Sequence, residues 1–428
     1  MISIPELYAI YRQHPHIQTD SRKLQPGEIF FALRGVHFDG HQFVQQAIDR
    51  GASYVVVDRP EAMINERCLL VNDTLQALQQ LARHHRLQQN MPFLAIGGSN
   101  GKTTTKELIR SVLSTTYQAY ATPGNWNNHI GIPLTLLGMP EETTLSVIEM
   151  GANHPGEMWQ YCDMVNPTHG LITNIGKDHL EGFGSVEGVK KAYNELFDYL
   201  RLTRGMAFVC RDLPDVMEIA EGLENIFTYG HHPEADVKAQ LIAAYPYIRL
   251  SIAHQDRLFE ISTQLIGTYN VHNILAAVAV GLYFGVSIPN IQAGIGGYIP
   301  QNNRSQLIEK DGNVYILDAY NANPSSMKAA IESFAAMPAP KKILLLGAMK
   351  ELGTASRAEH EELVRLIGRY DCWQTVALAG EEFAGIPHPY LYFPDARTMR
   401  SWWKAQSITG AHVLVKGSRS LAMEQVID

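Results

Sequence analysis

Within the first quarter of the chain, a glycine turn is followed by a lysine and three threonines, in FLAIGGSNGKTTTKELI, Phe93 to Ile109. An apolar run of strand character enters the turn, and an apolar-periodic helix leaves it. Gly98 and Gly101 let backbone N–H groups turn inward on an anion, and the positive end of the following helix adds to the attraction. Lys102 can neutralise outer phosphates and the Thr103 hydroxyl can ligate Mg²⁺. Ser99, Asn100 and Thr104 complete the cradle. The long phosphate-loop pattern asks for a glycine at position 96, which is Ile96, whereas the shorter GxxGK[ST] form is met from Gly98 to Thr103. The context predicts nucleotide binding, with Lys102 as a catalytic residue.

Two later segments supply partners. Glu149 closes the strand-like run LSVIEM. A carboxylate at the C-terminal edge of a parallel sheet faces the ligand crevice, so Glu149 is expected to hold Mg²⁺ with Thr103. His179, in TNIGKDHLEGFGS, follows the next predicted strand and is expected on the same edge, as a metal or phosphate group with a catalytic part. A GTPase would carry an N-K-x-D base-reading motif, and none occurs.

The elements that must position these residues alternate strand and helix, which predicts an α/β protein with mostly parallel sheets and helices on both faces. The 428 residues exceed one core, and three blocks separate by pattern: 1–88, 89–301 and 302–428. A helix from Thr74 to Gln89 links the first two. The central strands are FLAIGG, YQAYAT, LSVIEMGA, GLITNIG and MAFVC; the last block repeats the pattern with VYILDAYN, KKILLLGAM, TVALAG and AHVLVKGS. A formal net charge of −8 argues against a nucleic-acid binder. No run of about 18 apolar residues suggests a membrane span. The start MISIPELYAIYRQHPH lacks signal-peptide character. Cys68, Cys162, Cys210 and Cys372 form no CxxC pair and read as buried free thiols of a reducing cytoplasm. The doublets His84–His85 and His231–His232 read as surface residues.

Across nearly its whole length the chain resembles the Mur ligase family, ATP-dependent enzymes that build the bacterial cell-wall peptide. TDSRKLQPGEIFFALRGVHFDGHQFVQQAIDRGA is similar to the family's UDP-sugar-binding domain. GSNGKTTTKE, TPGNWNNHIGIPLTLL, IEMGANHPGE and TNIGKDHLEGFGS follow in the family's order. GTYNVHNILAAVAV resembles its adenine-contacting helix, with Asn270 and Asn273 at matching positions. DAYNANPSSM is the most specific string, with GAMKELG and VLVKGSRSLAMEQVI in support; the DNPR string of the sister ligase that adds the third residue is absent.

The resemblance implies a small UDP-binding α/β domain, a central P-loop ATPase domain and a C-terminal Rossmann-like domain. It implies an activity that joins D-alanyl-D-alanine to the free carboxylate of UDP-N-acetylmuramoyl-tripeptide through an acyl phosphate, with ATP and Mg²⁺. By the same resemblance Arg304 approaches the ATP phosphates on closure, and Asn125 and Asn128 meet the sugar nucleotide. Asn321, Asn323 and Ser326, on a strand-to-helix turn, are placed to meet the amine substrate; Asn and Pro also make turns unaided. Ser21 and Arg22 suit a diphosphate, against an ion pair of Arg22 with Asp20 or Asp39. Lys416 and Arg419 suit anionic groups. Small-molecule substrates, no nucleic acid, a cytoplasmic location and a monomer are expected.

One position departs. Many family members carry a CO₂-modified lysine where this chain has Tyr193; Lys190, three residues earlier on the same helical face, is one candidate substitute, and the simpler expectation gives a second metal to His179, Glu149 and water. Tyr193 keeps open a nucleotide-binding regulatory protein that no longer ligates; a related ligase with another amino-acid acceptor is the further alternative. Three blocks on single links predict hinge closure, with Arg304 and Asn321 far from Lys102 in the free protein.

Overall fold

A computed structural model describes residues 1–36, 38–301 and 303–428. Asn302, where the third block is expected to begin, lies outside the described residues. The architecture is α/β throughout, with three main sheets that follow one another along the chain. The first sheet has four parallel strands, Ile17–Gln18, Ile29–Phe31, Tyr54–Val57 and Cys68–Leu70. The expected strand GEIFFALRG is divided: Ile29–Phe31 joins the sheet, while Arg34–Gly35 pairs with Phe38–Asp39 in a separate antiparallel hairpin.

The second sheet has nine strands. Phe93–Gly97 lies between His169–Ile172 and Leu145–Glu149, and Met206–Cys210 lies beyond His169–Ile172, all parallel. These strands are wholly or nearly buried, as strands covered on both faces must be. Beyond Ile226–Gly230 the sheet turns antiparallel through Val237–Ala243, Arg249–His254 and Arg257–Ser262. The third sheet has six strands around Asn313–Asp318, Lys342–Gly347 and His412–Lys416.

The linking helix, Thr74–Leu87, begins at an Asp73 cap and packs on Gly131–Leu137 and Glu157–Val165. One apolar cluster therefore runs from Leu7, Phe31 and Leu78 into Ile132, Tyr161 and Tyr193. Cys68, Cys162 and Cys210 are buried as expected, but Cys372, just before the strand Trp373–Ala379, is exposed. The helix interface corrects the reading of His85 as a surface residue. His85 and Arg86 are buried. Burial holds the His85 imidazole down to about 4 and Arg86 down to about 10. Arg86 offsets its desolvation by donating to the carbonyls of Val165, Asn166 and Gln89, with its guanidinium 3.7 Å from the Phe93 ring centroid.

The expectation of an open arrangement is also corrected. Lys102, Arg304 and Asn321 line one cleft. Across it Lys177 Nζ lies 2.6 Å from Glu359 Oε1, and the Lys177 N–H donates to Ser325 Oγ at 2.9 Å. Charged and capping groups on the two domains meet directly, and these contacts hold the third domain against the loop.

Candidate active site

The buried strand Phe93–Gly97 delivers the chain into the glycine turn, and helix Lys102–Leu113 leaves it. Both turn glycines are required. A Cβ on Gly98 (φ 121°) would sit 2.2 Å from Thr173 Oγ1, and one on Gly101 (φ 79°) would sit 2.5 Å from Asn273 Oδ1. The turn is fixed from the neighbouring strand's end: Ser99 N–H donates to Asn174 O and Asn100 N–H to Asn174 Oδ1. Lys102 folds over the turn and donates to the carbonyls of Gly98 and Ser99. Its ammonium is thus held at the mouth of the loop, where outer phosphates would replace those carbonyls.

Thr103 Oγ1 lies 2.9 Å from both carboxylate oxygens of Glu149, the residue that ends strand Leu145–Glu149. Glu149 is 1% exposed, and a buried carboxylate needs donors. Asn127 Nδ2 donates to it at 2.8 Å, and Lys106 Nζ lies 3.5 Å away. Lys106 is itself fully buried and donates to Thr122 O and Gly124 O. A hydroxyl and a carboxylate converging at a phosphate loop are hard oxygen donors, which fit Mg²⁺.

Asn127 and Lys106 escape the sequence reading. Lys106 lies four residues after Lys102 on the same helix, outside the glycine motif, and Asn127 stands between the two chosen asparagines. Of those two, Asn125 and Asn128 both line the cleft, and Asn128 Oδ1 accepts the N–H groups of Ile130 and Gly131 at the start of helix Gly131–Leu137.

His179 reaches the cleft from the loop after His169–Ile172, but it faces the third domain. Its Nδ1 lies 2.8 Å from Glu351 Oε2, and Nε2 lies 3.7 Å from Asp178 Oδ1. Both His179 (φ 44°) and Glu351 (φ 62°) hold left-handed backbone, a conformation that costs energy outside glycine and collects at functional sites. Burial pulls the His179 imidazole down, and the hydrogen bond it donates to Glu351, with the charges of Asp178 and Glu351, outweighs it, so the net direction is upward.

The cleft, of about 650 Å³, brings together Ser99 to Thr104, Asn270 and Asn273, and the third domain's Arg304, Asn321, Asn323 and Ser326. Asn270 and Asn273 are buried and linked: Asn273 Nδ2 donates to Asn270 Oδ1, while Asn273 Oδ1 accepts from Thr105 Oγ1. The Arg304 guanidinium stacks 3.6 Å from the Tyr320 ring centroid. Asn321 Oδ1 accepts the Ala322 N–H. Asn323 donates across the domains to Asn100 Oδ1 at 2.9 Å and Asp178 Oδ1 at 3.1 Å. Lys416 pairs with Asp318 at 2.6 Å, and Arg419 pairs with Glu424 at 2.9 Å.

Other expected residues lie elsewhere. Ser21 is buried and donates to Gln46. Arg22 makes a two-pronged pair with Asp20, which holds that carboxylate down to about 2; neither residue is among those lining the cleft. Lys190 pairs with Asp215 and Glu218 near the helix Pro214–Ile219. That pairing draws its ammonium away from the cleft and leaves no support for it as a stand-in at position 193. Cys210 and Asp212 come within 4.8 Å of His272, a grouping with no signal in the sequence. Burial pushes the Cys210 thiol up to about 12, and backbone amides already occupy both Asp212 oxygens.

Family models match residues 15–86 as the Mur ligase family catalytic domain, 96–281 as the Mur ligase middle domain and 303–419 as the Mur ligase glutamate ligase domain. The chain is similar to the UDP-N-acetylmuramoyl-tripeptide--D-alanyl-D-alanine ligase of Bacillus subtilis (strain 168), 36% identical over 425 residues that cover 96% of this chain and 92% of that protein. Its fold is similar to MurF from Acinetobacter baumannii, with a TM-score of 0.86, 32% identity and coverage of 96% and 92%. It also matches MurF ligase from Thermotoga maritima in complex with ADP, with a TM-score of 0.86, 26% identity and coverage of 100% and 97%.

Proposed function

The chain belongs to the Mur ligase family, and from that premise we infer that it joins D-alanyl-D-alanine to the free carboxylate of UDP-N-acetylmuramoyl-tripeptide. It is an ATP-dependent, ADP-forming ligase of peptidoglycan precursor synthesis. The observation that carries this reading is the single cleft in which the phosphate loop meets Arg304, Asn321 and Asn323 of the third domain.

A carboxylate is a poor acyl donor because its leaving group would be oxide. Attack of the tripeptide carboxylate on the γ-phosphate of ATP gives an acyl phosphate and ADP. The amine of D-alanyl-D-alanine then adds to the acyl carbon, the tetrahedral intermediate expels phosphate, and the amine proton is lost. The first step brings two anions together, so positioning and charge stabilisation decide its rate. Lys102 and the amides of Gly98 to Thr104 hold the phosphates, and Arg304 adds a cation from the third domain. Thr103 and Glu149 would hold Mg²⁺, which offsets charge on the transferring phosphoryl group. His179, held by Glu351 at the edge where the domains meet, is the further metal or phosphate group, with a catalytic part. Asn270 and Asn273 line the nucleotide side; Asn125 and Asn128 line the side toward the sugar nucleotide, for which Ser21 and Arg22 offer a remote diphosphate contact. Asn321, Asn323 and Ser326 meet the amine.

Residues 1–88 would bind the UDP sugar, 89–301 the ATP and 302–428 the amine. Among the described residues no helix is long and apolar enough to cross a membrane, and nucleotide substrates fit cytoplasmic work by a monomer.

Phosphate release from ATP tests the reading. It is expected to require both D-alanyl-D-alanine and the tripeptide nucleotide, and release indifferent to either overturns it. Lys102→Ala is expected to lower kcat by about a hundredfold or more, the loss of about 3 kcal/mol of transition-state stabilisation.

A further inference from the structure

Lys106 has no part in the reaction above, yet its side chain is fully buried one turn beyond Lys102 on helix Lys102–Leu113. An ammonium has three N–H donors and no acceptor, and burial without partners is costly. Lys106 Nζ donates to the carbonyls of Thr122 at 2.7 Å and Gly124 at 2.9 Å. Glu107 Oε1 stands 3.1 Å from the same nitrogen and Glu149 Oε2 3.5 Å.

Those two carbonyls open the segment that carries Asn125, Asn127 and Asn128. Thr122 follows strand Ala119–Ala121, which pairs with Leu145–Glu149; its N–H donates to Val147 O, and its Oγ1 accepts the Glu149 N–H at 2.9 Å. Gly124, Asn125 and Trp126 are exposed. The far end of the segment has its own anchors. Asn127 O accepts the Gly151 N–H at 2.8 Å, His129 O accepts Gln79 Nε2 at 2.9 Å, and Asn128 caps Gly131–Leu137. At the near end the anchor is Lys106, which stands on the helix that leaves the phosphate loop. An exposed turn held at both ends is ordered in advance, and a ligand that meets it does not have to order it.

We propose that Lys106 is a positioning residue for the acid substrate: by holding the carbonyls of Thr122 and Gly124 to the phosphate-loop helix, it presents Asn125 to the sugar nucleotide. Lys106 is not among the residues lining the cleft, so it acts through the segment and not by contact. The inference rests on the reading of Asn125 and Asn128 as contacts of that substrate. It does not require ligation.

Calorimetric titration of the full chain with UDP-N-acetylmuramoyl-tripeptide and, separately, with ADP tests it, both without Mg²⁺ so that metal binding at Glu149 plays no part. Lys106→Met keeps the apolar stem and removes the donors. It is expected to weaken the sugar nucleotide about tenfold, because the ligand must then order the segment, and to leave ADP within about threefold of the native value. Amide hydrogen exchange over Asn125 to Asn128 is expected to quicken in this variant and to slow again on adding the sugar nucleotide. The substitution also strips a cation from the buried Glu149 carboxylate, so a second protein carries Lys106→Met with Glu149→Gln. The double variant is expected to recover the denaturant midpoint lost in the single one and to keep the weak sugar-nucleotide binding; where the single variant does not fold, the double one carries the comparison. Recovery of native sugar-nucleotide affinity in the double variant would make Lys106 a counterion of Glu149 alone, and overturns the proposal. So does native affinity in Lys106→Met, or an equal loss for both ligands, which marks a general loosening of the core. A native protein that binds ADP but not the sugar nucleotide removes the reading of Asn125 and Asn128, and this inference with it.

Discussion

Tyr193 is the residue at which packing and hydrogen bonding disagree. Its ring is fully buried and packs close to the end of the phosphate-loop strand: a Cβ on Gly97 would lie 3.3 Å from Tyr193 Cδ1. The Lys102 ammonium stands 5.8 Å from the ring centroid. The hydroxyl has no hydrogen-bond partner among the described residues. Burial drives the phenol well above its ordinary range, with Asp178, Glu149 and Glu157 adding to it, so it is neutral at any working pH. A buried donor left unpaired costs about 1–3 kcal/mol, while the ring that carries it contributes apolar burial. Tyr193→Phe keeps the ring and removes the orphan. The variant is expected to be more stable by about 1 kcal/mol, read as a higher denaturant midpoint at unchanged slope for the central domain's transition. A lower midpoint would mean that the hydroxyl is satisfied, by water or by a bound group.

At the scale of elements, helix Pro324–Ala336 shows one side chain serving two structures. Asn323 caps it in a reciprocal box with Ser326, through Oδ1, while Nδ2 bridges to Asn100 and Asp178 in the central domain. The two duties can be separated. Asn323→Ala removes both and is expected to lower third-domain stability by about 1 kcal/mol. Asn323→Asp keeps a good cap but sets a carboxylate against Asp178. It is expected to leave the third domain's melting near the native value and to lower kcat/KM by about tenfold, equivalent to about 1.4 kcal/mol. Equal activity in Asn323→Asp and the native protein would show that the bridge carries nothing. The strand-to-helix turn behind this box is legible in DAYNANPSSM, as the phosphate loop is in GSNGKTTT, because caps and glycine turns are local. The buried parallel strands are legible as continuous apolar runs. Val237–Ala243 and Arg257–Ser262 are not, because with one face exposed they interleave charge with apolar residues. Arg86, Lys106 and Asn127 were hidden for another reason. Each is satisfied by carbonyls or a carboxylate far along the chain, and no periodicity within one helix records that.

One of the contacts that hold the whole molecule closed contains a group that titrates near neutrality. His179 Nδ1 and Glu351 join the central and third domains at 2.8 Å, as the Lys177–Glu359 pair does at 2.6 Å. The signs for the two partners differ. The hydrogen bond from His179 holds the Glu351 carboxyl below its ordinary 4.5, against burial. Its contribution is present above that value and is lost only as pH falls through the lowered one. His179 is raised above its ordinary 6.5, so its contribution is complete below 6.5 and is lost as pH rises through the raised value. Closure is therefore strongest between about 4.5 and 6.5 and weakens on the alkaline side. Small-angle scattering of the unliganded protein is expected to give a larger radius of gyration at pH 8.5 than at pH 6. His179→Gln, which cannot carry the charge, is expected to be insensitive over that range and to match the native protein's alkaline value. The contacts of Lys177, Ser325 and Asn323 do not involve the imidazole, so the native protein loosens without separating fully. Superimposable native profiles at pH 6 and 8.5 would show that the imidazole does not govern the hinge, and would leave closure to Lys177, Ser325 and Asn323.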